Sequence, residues 1–426
     1  MVSTRNTAPD LGLRRSLGLG AGIALAVGSV AGSGILFLPS LTYQIAGHDA
    51  LVVWGAATLL CFPLLLVFAD MVRRVPDGSG LEGFIALGLG RHVAATVPPL
   101  FLSLVCLGLP AGSLVAGQYL AHATGGGRPV QLAGALAVLG VAAVANLGGA
   151  RAGARGQSIL TWALLASAVV LLALTFPNAH AGYGAVRPVL RELGPSLSGV
   201  VAAFWAYTGF ENLTFIAGEL RNPRRDFLPA ALVALTAYGL LGVALTANVA
   251  GVVARDRVDP VTGLAQLAAT ISPPRLAVSA ITAIALTLMA ANAASWTWGM
   301  SRLVYASASA GRLPSWFARL DRRAVPRRAI VALTVAFAAV ACVTVAAPRL
   351  LVGLVLAAST VFMLLYVLAL ISYIRTERRP SRRLLAGALL AFMLAVGGGA
   401  GWKVLYPLAV FAVALGTSLA RSRRRS

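Results

Sequence analysis

Gly32-Ser33-Gly34-Ile35-Leu36-Phe37-Leu38-Pro39 stands in the middle of an apolar run that covers residues 16–46. Two glycines bracket a serine where a membrane helix would be continuous, and a proline follows one turn later. Glycine costs a helix interior about 1 kcal/mol and proline about 3 kcal/mol. Proline also removes a backbone donor and clashes with the preceding turn. In lipid the freed peptide groups need partners, so a broken helix persists only where it lines a protein cavity. Glycine also lets a ligand approach the backbone closely. One reading of the stretch is a small-molecule site at mid-membrane depth. The other is a helix-packing seam, because Gly28 and Gly32 have the small-xxx-small spacing.

The rest of the chain has the matching composition: of 426 residues, 58% are hydrophobic and 11% charged. That is the balance of a polytopic membrane protein, not of a soluble globule. Apolar windows of about 20 residues, the length a bilayer core demands, recur from end to end. The net charge of +22 invites nucleic acid as a partner. The arginines, however, sit in short clusters between apolar runs, not on one folded basic face, and a positive-inside bias accounts for them. The bilayer is the expected partner and nucleic acid is not. Cys61, Cys106 and Cys342 lie inside apolar runs without metal or disulfide spacing and read as packing residues. His48, His92, His122 and His180 are scattered near segment ends, so no metal site is expected. Arg5, Arg14 and Arg15 precede the first apolar run as in a signal peptide. The run is too long for one and no convincing cleavage site follows, so a retained first span is expected.

The pattern divides into about twelve spans. Span 1 covers 18–46 and span 2 covers 50–72; a polar turn and a short helix near 82–91 follow. Span 3 is 93–122, with Pro98, Pro99 and Pro110 as kinks, and spans 4 and 5 are 130–149 and 157–177. Span 6 is 196–219, span 7 is 229–251, and a loop with a short helix leads to span 8 at 275–306. An arginine-rich connection precedes spans 9 to 12, at 329–347, 350–374, 384–400 and 402–420. With the N-terminus inside, only Arg128, Arg187, Arg191, Arg255, Arg257, Arg275, Arg349 and Lys403 of the 35 Lys and Arg residues fall outside. An asymmetry this large predicts an even number of spans and both termini in the cytoplasm.

Span 6 holds a second interruption, Phe204-Trp205-Ala206-Tyr207-Thr208-Gly209-Phe210-Glu211-Asn212. Here a glycine breaks the run beside a carboxylate, which costs about 3 kcal/mol inside a span. Glu211 either serves function or caps an unwound segment by accepting backbone N–H bonds. Five spans separate the two breaks, an odd number, so the two halves of the chain would be inverted in the membrane. Interrupted helices in corresponding positions of two halves point to a transporter site. A half-helix N-terminus offers free N–H groups and positive partial charge to a carboxylate. The C-terminal end of another half-helix offers carbonyls to an ammonium. Two such breaks face to face match a zwitterion.

These residues resemble the amino acid–polyamine–organocation (APC) superfamily of permeases. The strings that carry the likeness are G-S-G-I-L-F-L-P at 32–39, R-R-V-P-D-G-S-G at 73–80, F-W-A-Y-T-G-F-E at 204–211, E-L-R-N-P-R-R-D-F at 219–227 and G-R-L-P-S-W-F-A-R-L at 311–320. Within the superfamily the chain looks most like the bacterial methionine and branched-chain amino acid exporters, G-W-K-V-L-Y at 401–406 contributing. The resemblance implies an all-α membrane protein of about twelve transmembrane helices with the LeuT-type 5+5 inverted repeat and broken helices 1 and 6. It divides the chain into a cytoplasmic N-terminus (1–17), a first repeat (18–195), a second repeat (196–382), two additional helices (383–420) and a basic cytoplasmic tail (421–426). It implies that the substrate carboxylate meets the Gly32–Ser33–Gly34–Ile35 backbone and the Ser33 hydroxyl. The ammonium would meet carbonyls near Val30, Trp205 and Thr208, around Gly209. Trp205 stands where related transporters place an aromatic gate. Trp296 matches a position lining the side-chain pocket, and we add Asn292 one turn earlier. Tyr207 and Glu211 are assigned to coupling or gating.

No unpaired acid or base other than Glu211 lies deep in spans 1, 3, 6, 8 or 10, so a charged substrate side chain would lack a counter-charge. Methionine, leucine, isoleucine and valine are the expected substrates, carried by alternating access and in the direction of efflux. No cofactor is expected; a proton or a sodium gradient would drive transport. Some proton-coupled relatives carry a lysine in span 5, and here Lys403 is the only lysine in the chain. The alternatives are an importer or exchanger of the same fold and, in a different class, a non-transporting sensor or binding subunit. An enzyme is not expected: the chain has no H-E-x-x-H, no G-x-S-x-G and no P-loop.

Overall fold

An apolar chain in lipid must pair its own peptide groups, and a helix does so within one segment. The computed structural model describes residues 19–20, 23, 26–27, 34–75, 80–148, 154–179, 193–209, 221–323 and 325–423, and every regular element among them is helical. Val30, Gly32, Ser33 and Glu211 lie outside the described residues.

In chain order the helices are α1 (Gly34–Ala46), α2 (Ala50–Arg74), α3 (Gly80–Ala94), α4 (Val97–Thr124), α5 (Arg128–Leu147), α6 (Ala154–Ala179) and α7 (Leu193–Phe204). The second half holds α8 (Pro223–Val252), the short α9 (Gly263–Ala268), α10 (Pro274–Ser309), α11 (Arg327–Ala346), α12 (Leu350–Thr376), α13 (Pro380–Gly398) and α14 (Leu405–Arg423). Among the described residues nine helical stretches are long and apolar enough to cross a bilayer, the first counted continuously through Gly34–Arg74. Expected and observed boundaries agree within four residues for spans 8 to 11, while the helix of span 7 begins six residues earlier than expected. Pro98 and Pro99 differ from expectation. They occupy the first turn of α4, where a missing N–H has no intrahelical partner to lose, so they start the helix and do not bend it.

The helices sort into two packed groups. α1 and α2 each pack on α7 and α8, while α4, α5, α10 and α11 all pack on one another. The second group closes tightly because small residues face each other. A side chain at Gly117 of α4 would meet the Gln131 carbonyl of α5 at 2.0 Å, and Gly134 faces Gly117 in return. Asn146 of α5 donates to the Ala294 carbonyl of α10 at 2.9 Å and fixes the register of those two helices. α12 packs on α3, α4 and α13 and also reaches α7, so it borders both groups.

α1 is held at its C-terminal end by a cation, as the helix dipole favours. Arg255, beyond α8, donates to the Gln44 and Ile45 carbonyls at 3.1 and 2.9 Å, and its guanidinium fills the space beside Gly47, whose φ of 54° also favours glycine.

An ion network at the ends of three helices ties α2 to α12 and α13. Arg74 pairs with Asp70 at 2.5 Å and with Glu377, and lies over the Tyr373 ring; Arg382 pairs with Asp70 at 3.1 Å. The Tyr373 hydroxyl donates to Asp70 at 3.0 Å. Glu377 also accepts the Arg378 and Arg379 N–H groups, each at 2.8 Å, at the start of α13. Desolvation pushes the Glu377 carboxyl upward, but the Arg379 N–H and the Arg74 guanidinium outweigh it and hold its pKa at about 2. A depressed carboxyl stabilises the fold above its ordinary pKa of 4.5 and stops doing so as pH falls through about 2. Glu377→Gln is therefore expected to cost about 2 kcal/mol at neutral pH, between the values for exposed and buried pairs. The gap in thermal midpoint between wild type and variant should shrink as the pH is lowered from 5 toward 2. A gap that does not change with pH would mean that the carboxylate charge is not what stabilises this end.

Candidate functional site

The described part of α7 has 12 residues, about 18 Å of rise against a membrane core of about 30 Å. It tightens into a 3-10 turn at Trp205–Tyr207, then leaves helical geometry: Thr208 is extended and Gly209 has a φ of 119°. That backbone conformation is one only glycine adopts without strain. The departure from helical geometry expected at Gly209 is thus present, and residues 210–220, where the span was expected to continue, lie outside the described residues. The first expected break, at Gly32 and Ser33, also falls outside them; the chain is helical from Gly34 onward.

The turn carries its own anchors. Thr208 donates both its N–H, at 3.2 Å, and its hydroxyl, at 2.8 Å, to the Trp205 carbonyl. Both lone pairs of that carbonyl are engaged, which leaves it no capacity for the ammonium expected there. Tyr207 is fully buried, edge-on to Trp54 and Tyr238 at 6.0 and 6.4 Å between ring centroids. Its hydroxyl lies 2.6 Å from the Thr58 hydroxyl. Thr58 gives its single proton to the Trp54 carbonyl at 2.7 Å, so Tyr207 is the donor. Trp54 in turn donates to Thr42 of α1 at 3.1 Å. This relay joins α1, α2 and the turn, and makes Tyr207 a clamp on the turn in this conformation.

Gly34 and the turn lie against each other. A Cβ at Gly34 would stand 3.3 Å from Cδ1 of Trp205 and 3.3 Å from the Tyr238 hydroxyl of α8. Gly34 and Ile35 are both buried. Tyr238 is 2% exposed; the Ile35 N–H stands beside its hydroxyl oxygen, and the hydroxyl proton has no acceptor among the described residues. A buried hydroxyl left unpaired costs about 1–3 kcal/mol, so the fold keeps it at some expense of stability. On the other side of the turn, the Trp205 indole reaches α4 at Gly108. The Tyr119 hydroxyl of α4 donates to the Leu36 carbonyl at 2.6 Å and fixes the first described turn of α1. Gly34, Ile35, Trp205, Tyr207, Thr208 and Gly209 are therefore brought to one place. Asn292 and Trp296 lie half-buried on α10, whose main partners are α4 and α5, and that helix is not among those packed closely around the turn.

Sequence reasoning missed Tyr238, Gly108 and the Thr58–Trp54 pair. The usable signal was a polar aromatic, Tyr238, in a span otherwise rich in small and aliphatic residues. No charged side chain belongs to the set Gly34, Ile35, Gly108, Trp205, Thr208 and Tyr238, so what the niche offers is hydroxyl, peptide and aromatic surface. A separate recess of about 210 Å³ between α6 and α10, lined by Ala163, Ala283, Ile284, Thr287 and Leu288, carries no charge either and is no part of this site.

These features define a multi-pass helical membrane protein in which α7 ends, at an extended Thr208 and a positive-φ Gly209, against other helices of the bundle. The chain belongs to the amino acid permease family, whose model matches residues 17–418. It is 28% identical over 415 residues to the L-methionine/branched-chain amino acid exporter YjeH of Escherichia coli, covering 94% of this chain and 95% of that one. It is 27% identical to the uncharacterized amino acid permease YecA of Bacillus subtilis, again covering 94% and 95%. Over 231 residues, 52% of this chain and 51% of the relative, it is 24% identical to the serine/threonine exchanger SteT of Bacillus subtilis.

Proposed function

We propose that the chain is a secondary active transporter that moves neutral, mainly apolar amino acids across a bacterial cytoplasmic membrane. Methionine, leucine, isoleucine and valine are its substrates, and efflux is its direction. The observation that carries the reading is the meeting of the α1 helix at Gly34 with the interrupted end of α7, beside the unpaired Tyr238 hydroxyl. N–H groups at Ser33, Gly34 and Ile35, joined by Tyr238, would take the carboxylate. The Thr208 carbonyl and the backbone around Gly209 and Val30 would take the ammonium. Trp205 would close over the substrate, with Trp296 and Asn292 toward its side chain. Similarity to a relative named as an exporter supports the direction and the substrate class. The exchanger among the relatives supports a second reading, obligatory exchange of one amino acid for another at the same site.

Twelve spans, both termini inside and a five-plus-five repeat belong to this proposal. Its support is that the two packed groups take helices from equivalent places in the two halves: α1, α2, α7 and α8 in one, α4, α5, α10 and α11 in the other. Rocking of one group against the other would expose the fixed site alternately to each side. Glu211, the carboxylate that the sequence sets inside span 6, is the candidate proton carrier, and sodium is the alternative driving ion.

Counterflow in proteoliposomes tests the reading. Liposomes preloaded with unlabelled leucine should accumulate labelled leucine and methionine, while arginine should exchange at least about 100-fold more slowly for want of a counter-charge. Equal exchange of arginine would overturn the apolar-pocket assignment, and no exchange of any amino acid would overturn transport.

A further inference from the structure

We propose that Gly108 of α4 sets the upper size of the substrate side chain by seating the far edge of the Trp205 indole; this rests on the amino acid transport reading above. A Cβ at Gly108 would stand 2.9 Å from Cη2 of Trp205 and 3.7 Å from both Cζ2 and Cζ3. Contacts under 3.0 Å do not persist between real side-chain carbons, so an added methyl forces something to move. A flexible side chain would give way at little cost, but an indole is rigid, and the backbone that carries it is pinned on both sides. Before it, Phe204 is fully buried and edge-on to Tyr366 of α12 at 5.6 Å between centroids. After it, Thr208 locks the Trp205 carbonyl and Tyr207 is bonded to Thr58. On the α1 side, Cδ1 lies only 3.3 Å from where a Gly34 side chain would begin, so the ring already touches α1.

Among the described residues, the direction left open is rotation of the ring about its own side-chain bonds, toward the side on which Trp205 remains partly exposed. Trp205 belongs to a turn packed by α1, α2, α8 and α12, with α4 at its edge, so that exposure faces the inside of the bundle and not lipid. Volume added at residue 108 is thereby transferred, through the indole, into the space next to the interrupted helix. Gly108 and Trp205 act as one unit, the glycine as seat and the tryptophan as the wall that the substrate side chain meets. Neither residue needs to exchange a proton or bind an ion for this.

The test is substrate selectivity of Gly108→Ala, Trp205→Phe and the double variant in proteoliposomes, reading kcat/KM for leucine and for alanine. The leucine-to-alanine ratio should fall about tenfold in Gly108→Ala, the scale on which hydrophobic pockets resolve small differences in volume. A phenylalanine ring is too short to reach residue 108, so the added methyl should have no effect on the ratio in the Trp205→Phe background, and the two substitutions should be strongly non-additive. Gly108→Ala acting equally on leucine and alanine, or lowering the ratio just as much in the Trp205→Phe background, would overturn the seat. Thermal midpoints measured alongside separate a selectivity change from a loss of folded protein. A wild type that carries no neutral amino acid would overturn the transport reading and this inference together.

Discussion

Tyr238→Phe should lower kcat/KM for leucine by about 10- to 100-fold while leaving the protein as stable as the wild type or slightly more so. Both halves follow from one observation. The hydroxyl is buried on α8 against the first described residues of α1 and has no hydrogen-bond partner among the described residues. An unpaired buried hydroxyl is a cost of about 1–3 kcal/mol that phenylalanine does not incur. A carboxylate arriving at Gly34 and Ile35 would supply the missing acceptor, and a hydrogen bond to a charged group contributes about 1.5–3 kcal/mol. A substitution that preserves shape and aromatic contact, including the edge-on packing with Tyr207, removes only that bond. Counterflow kinetics and thermal unfolding of the same preparation measure the two effects. If the variant transports normally, or unfolds at a markedly lower temperature, the hydroxyl serves packing and the carboxylate is held elsewhere.

What could be read in the sequence was set by local rules. The length and order of most spans followed from apolar windows, and the break at Gly209 followed from a glycine inside such a window. The structure places Gly209 in a backbone conformation reserved for glycine, and α7 stops beside it. Pro98 and Pro99 were misread because proline has one meaning inside a helix and another in its first turn, and Thr96, the N-cap residue that marks the start of α4, was overlooked inside an apolar run. Gly108 was illegible for a different reason, and so was what Tyr238 faces, although a polar aromatic in that span could have been noticed. Each matters through a residue far along the chain, Trp205 for one and Gly34 for the other, and nothing local marks which face of a uniformly apolar helix will turn inward. The network of Asp70, Arg74, Tyr373, Glu377 and Arg382 escaped notice for the same reason. Its arginines were read as part of the positive-inside bias; the Asp70–Arg74 pair is local, but the links from Arg74 to Glu377 and from Arg382 to Asp70 span about three hundred residues. The Trp205 carbonyl was expected to face an ammonium; it is occupied by Thr208, a bond that becomes visible only once the turn's geometry is known.

The central claim is that the zwitterion itself is recognised, its carboxylate at the α1 end and its ammonium at the α7 end. Competition in leucine counterflow addresses this most directly. Leucinamide keeps the side chain and the ammonium but has no carboxylate; 4-methylpentanoate keeps the side chain and the carboxylate but has no ammonium. A site built of peptide dipoles leaves desolvated groups unpaired when either charge is missing, which is the situation that discriminates most strongly. The account predicts that unlabelled leucine displaces the labelled substrate and that each analogue needs at least about 100-fold higher concentration to do so. Competition by leucinamide as effective as that by leucine itself would contradict it.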